Sequence, residues 1–216
     1  MQARALVLQS GSSAGRESAK IQFQTVLNKK ATGVQAAVAH YGLSVVYAQD
    51  GDAAQAYAEA QKAVQMAGRN DVFLQKNLLQ TRYALAADKK PVLKEISALA
   101  NDNPLSVMLA KIYIEDLYEQ GMHEEILKYL KGQSAISQDN ADYFRYLARS
   151  SEALGRRSEA FRATGKMYVL QGDWKMAAYQ FKQAQRVSDG DFFTMSEVDA
   201  DLREAEDHLK QDKSHN

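Results

Sequence analysis

The chain has 216 residues, and its 27 lysines and arginines exactly offset 27 aspartates and glutamates, for a formal net charge of zero. That balance argues against nucleic acid or an anionic membrane as the main partner. With no cysteine there is no disulfide scaffold, cysteine zinc finger or thiol nucleophile. Two prolines among abundant Ala, Gln, Glu, Lys and Leu predict an all-α chain.

The chain opens with Met1-Gln-Ala-Arg-Ala-Leu-Val-Leu, an apolar run too short for a secretory signal. It reads as the last turns of a helix that begins outside the chain. Residues 1–34 are therefore expected to be an N-terminal helical segment, a junction to a missing upstream domain. After a loop at 10–16, a helix is expected near 17–30. Helix pairs follow at 35–49/52–67, 71–87/90–101, 105–120/122–131 and 140–154/156–170, then single helices at 173–187 and 195–211. Gly, Ser, Asp and Asn content marks 132–138 and 188–194 as loops. The polar residues 213–216 are expected to form a disordered tail. No stretch reaches the roughly 18 apolar residues of a membrane span.

The turns carry the organisation. Gly51, Gly121, Gly155 and Gly172 each end an apolar-periodic stretch, and Ala56, Ile126 and Ala160 stand five positions after the first three. Gly121 to Gly155 spans about one 34-residue period of the helix-turn-helix repeat known as the TPR. Between Gly51 and Gly121 a break falls at Asp88, with Pro91 suited to the first turn of the next helix. Gly172 comes half a period after Gly155, as expected if each helix packs on both neighbours. Small residues leave room where paired helices cross: Ala56, Ala60 and Ala63 in one pair, Ala160 and Gly165 in another. Residues 35–212 are expected to form one TPR-like right-handed superhelix of antiparallel helix pairs.

Chemistry-bearing motifs are sparse. His123-Glu124-Glu125 resembles the opening of an HExxH zinc helix, but Leu127 occupies the place of the second imidazole. Neither a phosphate loop nor a G-x-S-x-G elbow is present. Glu124–Glu125 and Asp199–Asp201 read as solvated faces, and the tyrosines between Tyr41 and Tyr146 as spacers between stacked helices. Trp174 is expected to pack its turn on the next helix. Nothing reads as an enzyme, a cofactor site or a metal site.

What remains is a groove lined by the first helix of each pair. Its expected residues are Tyr41 with Val45, Leu78 with Arg82, then Lys111, Glu115 and Tyr118, then Arg145 and Arg149. Cations, tyrosines and aliphatics together suit an extended peptide or a partner helix.

The C-terminal third is the most distinctive part. Tyr146-Leu-Ala-Arg-Ser-Ser-Glu-Ala-Leu-Gly-Arg-Arg-Ser-Glu-Ala-Phe-Arg-Ala leads to Tyr168-Val-Leu-Gln-Gly-Asp, Ala177-Ala-Tyr-Gln-Phe-Lys-Gln-Ala184 and Val198-Asp-Ala-Asp-Leu-Arg203. With His40-Tyr-Gly-Leu-Ser upstream, residues 36–205 resemble the TPR region of BepA-like bacterial cell-envelope zinc metallopeptidases. The resemblance implies a periplasmic, noncatalytic protein-binding domain that recruits clients or assembly machinery in outer-membrane protein quality control. It places zinc only in a protease domain that this chain lacks, so no catalytic residue carries over. The alternative is a free-standing TPR adaptor in envelope or pilus assembly.

Overall fold

A computed structural model describes residues 12–68, 70–132 and 136–214; the predicted junction helix at 1–8 lies outside the described residues. Among the described residues there are helices and no strand. In chain order they are α1 (Ser13–Asn28), α2 (Gly33–Gln49), α3 (Ala53–Ala67), α4 (Val72–Leu85), α5 (Lys90–Asp102), α6 (Val107–Glu119), α7 (His123–Gly132), α8 (Ala141–Ala153), α9 (Arg157–Leu170), α10 (Trp174–Val187) and α11 (Phe192–Ser214). No helix among the described residues is long and apolar enough to cross a membrane. The chain forms two compact units, Met1–Asp102 and Asn103–Asn216. Within each, every helix packs on the next, and α2 also meets α4 in the first unit, as α9 meets α11 in the second.

Four turns repeat the same hydrogen bonding. After α2, α6, α8 and α9 the chain passes through Gly51, Gly121, Gly155 and Gly172 at φ between 68° and 80°, a region other residues enter at a cost. The amide after each glycine donates to the carbonyl five residues back: Asp52 to Tyr47 (2.9 Å), Met122 to Leu117 (2.9 Å), Arg156 to Ser151 (2.8 Å) and Asp173 to Tyr168 (3.0 Å). Each glycine amide donates to the carbonyl three back, which completes a Schellman closure. Asp52 and Asp173 then cap the following helix by accepting from the amides of Gln55 and Met176. The break at Asp88 is built differently: α4 ends at an extended Ala86, Asp88 accepts from the Lys90 amide, and Pro91 lies in the first turn of α5.

Two predicted loops are shorter than expected because capping side chains start their helices early. Ser12 accepts from the Gly15 amide, so α1 begins at Ser13. Asp191 accepts from the Thr194 amide at 2.8 Å, so α11 begins at Phe192, and it runs on through Ser214.

Residues five positions after the turn glycines are fully buried at Ala56, Ile126 and Ala177, but Ala160 is only half-buried. On α9 the buried positions are Ser158, Ala163 and Gly165, so of the two small residues expected at this crossing Gly165 is enclosed and Ala160 is not. A methyl group on Gly165 would sit 2.4 Å from the Phe181 ring. The first unit repeats the device, with Phe23 of α1 seated on Gly42 of α2, where a methyl group would come within 2.3 Å of the ring. Trp174 reaches past its own turn and stacks on His208 of α11, with ring centres 3.8 Å apart and planes 12° from parallel.

Candidate functional site

In the first unit α2, the start of α3, and α4 enclose a cleft of about 580 Å³. Tyr41, Val45 and Ala48 form one wall, at the spacing that keeps residues on a single helix face. Asn77, Gln80, Thr81 and Ala84 form the other, and Ala53 and Ala56 contribute to the floor. A buried polar chain fixes the separation of these helices. Ser44, fully enclosed, donates to the Ala56 carbonyl at 2.8 Å and accepts from the Asn77 side-chain amide at 2.8 Å. Thr81 donates back to the Asn77 carbonyl at 3.0 Å. Each buried polar group has a partner, so the network orients all three helices instead of weakening them. No carboxylate lines the cleft. Its surface offers aliphatic groups, the Tyr41 phenol, side-chain amides, the Thr81 hydroxyl and the Lys76 ammonium.

The predicted groove residues divide between the two units. Tyr41 and Val45 line the cleft, whereas Leu78 and Arg82 do not. Arg82 is paired with Glu95 of α5, and that hydrogen bond holds its guanidinium pKa above the usual arginine value.

The other five residues come together on α6 and α8 of the second unit. Asp142 of α8 pairs with Lys111 of α6 and, at 2.6 Å, with Arg145. Tyr146 is buried, and that burial, with a hydrogen bond to Glu115, pushes its hydroxyl up to about 12. Arg145 lies 5.2 Å from the Tyr146 ring centre. Arg149 lies 4.0 Å from the centre of the Tyr118 ring, which meets His123 edge-on with ring centres 5.0 Å apart. Five of these residues were expected from helical spacing: Lys111, Glu115 and Tyr118 share one face of α6, and Arg145 and Arg149 one face of α8, where Asp142 and Tyr146 join them.

Asp142 escaped the sequence reading, although it stands three residues before Arg145. Ala48, Asn77, Gln80, Thr81 and Ala84 escaped as well. The stripe at 77, 80, 81 and 84 was the available signal, but its small and amide side chains give little hydrophobic contrast.

The histidines serve separate packing roles. His40 pairs with the buried Glu59 at 2.6 Å, and His208 stacks on Trp174. Nδ1 of His123 is buried without a hydrogen-bond partner. His215 lies outside the described residues. No three His, Cys, Asp or Glu side chains among the described residues are grouped to hold a metal ion. A scan against protein-family models finds no match to this chain, and a search of curated proteins finds none.

Proposed function

We propose that the chain is a noncatalytic protein-binding module, a TPR-like right-handed superhelix of antiparallel helix pairs that holds an extended polypeptide in the cleft between α2 and α4. The cleft carries this reading. It is held open by the Ser44–Asn77 network, and its lining of aliphatic groups and amides, with Lys76 among them, suits a peptide's apolar side chains and backbone. The four recurring glycine turns support the repeat architecture. The resemblance of 36–205 to BepA-like proteins supports a periplasmic setting, a role beside a zinc metallopeptidase domain, and clients or assembly machinery of outer-membrane proteins as partners.

Panning a random twelve-residue peptide library on the full chain tests the module. A binding pool is expected, with its peptides recovered intact whether or not a chelator is present. Ala48→Arg fills the cleft from an exposed wall position and is expected to weaken pool binding at least tenfold with helicity unchanged. An unaffected pool rules out the cleft, and cleaved peptides rule out the noncatalytic assignment.

A further inference from the structure

We infer that the α6/α8 face of the second unit receives an acidic side chain of the partner polypeptide, with Arg149 as its anchor. The inference rests on the polypeptide-binding reading and specifies the chemistry of part of that partner. Lys111, Arg145 and Arg149 face two carboxylates, Glu115 and Asp142, so the cluster has one surplus positive charge. The pairing of the side chains locates the surplus. Lys111 and Arg145 both pair with Asp142, and Glu115 bonds Tyr146. Arg149 has no carboxylate within ion-pair distance among the described residues; its contact is the Tyr118 ring, 4.0 Å away.

A guanidinium laid over an aromatic ring uses its face and keeps the N–H fork at its edge for a planar acceptor. Tyr118 is braced in turn by His123. Arg149 is thus held in place before any partner arrives, which reduces the side-chain entropy lost on binding. A carboxylate matches the fork in a bidentate pair. It also matches the charge: one negative group neutralises the surplus, while a phosphate dianion would leave excess negative charge beside Glu115 and Asp142.

The peptide library again supplies the probe. Peptides retained by the parent chain are expected to carry Asp and Glu at least twice as often as the unselected library, and replacing Glu by Gln in an individual binder should weaken it at least tenfold. Arg149→Ala should abolish the acidic enrichment, Arg145→Ala should preserve it, and Arg149→Lys, which keeps the charge but loses the fork, should recover less than half. A pool without acidic enrichment overturns the inference. So does equal binding of Glu and Gln peptides, a measurement that needs only the parent chain. Equal losses from Arg145→Ala and Arg149→Ala also overturn it, because they indicate diffuse attraction. A neutral pool that Ala48→Arg abolishes leaves the cleft intact while removing Arg149 as anchor. An acidic pool indifferent to Ala48→Arg does the reverse.

Discussion

Gly165→Ala places one methyl group where the structure has no room for it. Gly165 has ordinary helical backbone angles, so alanine needs no backbone change and gains about 1 kcal/mol of helix propensity. Against that gain stands the Phe181 ring. The new methyl would lie 2.4, 2.7 and 2.9 Å from three ring carbons, where carbon atoms normally rest about 3.5–4.0 Å apart. The ring must therefore retreat by roughly 1 Å. It is fully buried in the cluster formed with Ala177, Ala178, Leu202 and Ala205, so the retreat presses on α11. Overpacking of this kind costs about 1–3 kcal/mol, and a fully enclosed ring belongs near the upper end. The expected net loss is about 1–2 kcal/mol, a melting drop of about 5–10 °C for a unit of this size. Urea unfolding followed by far-ultraviolet circular dichroism measures it. Gly132→Ala, at a helix end with nothing within 4 Å of the new methyl, serves as the control. In a Phe181→Leu background Gly165→Ala should become stabilising by about 0.5–1 kcal/mol. A Gly165→Ala protein more stable than the parent would refute the steric argument, because propensity alone would then describe the site.

Two further outcomes follow from the second unit. The Tyr146 hydroxyl binds its proton more tightly when folded, with its pKa raised from 10.0 to about 12, so its stabilisation is complete below about pH 10 and is lost as pH rises toward 12. Tyr146→Phe should flatten that loss by about 2 kcal/mol, read from urea midpoints between pH 9 and 12; an unchanged slope would mean that another group titrates there. Asp189, on the α10–α11 loop, accepts from the amides of Arg157 and Ser158 and so caps α9 from a distance. Its carboxyl is held below the usual range, first by the Ser158 hydroxyl, so this contribution is present above about pH 4 and fades as pH falls through the lowered value. Asp189→Ala should cost about 1 kcal/mol and exchange the Arg157 and Ser158 amides faster; unchanged exchange at those two amides would refute the capping role.

The helices and their glycine turns were legible because each rests on a local cause: a 3.6-residue period, an N-cap, or a left-handed residue. The α6/α8 cluster was legible for the same reason, since face-sharing follows from spacing once two helices are known to be neighbours. Partner choice was not. That Arg82 turns to Glu95 while Arg149 rests on Tyr118 depends on rotations of neighbouring helices that no single helix encodes. Gly165 was expected beside Ala160, yet only the observed path of α10 shows that a phenyl ring fills the notch. The cleft stayed hidden because alanines and amides mark no apolar stripe, and Ser44 reveals its role only through Ala56 and Asn77.

Trp174 is the chain's single tryptophan, and its ring lies flat against His208 of the last helix. Indole emission is therefore an optical signal confined to one end of the second unit. Undocking α11 separates the two rings and alters the emission while most of the helicity survives. Helicity lost before the emission changes belongs to helices other than α10 and α11. Emission and ellipticity recorded on the same heated sample thus show whether α11 undocks before or after the bulk of the helicity is lost, with no label attached.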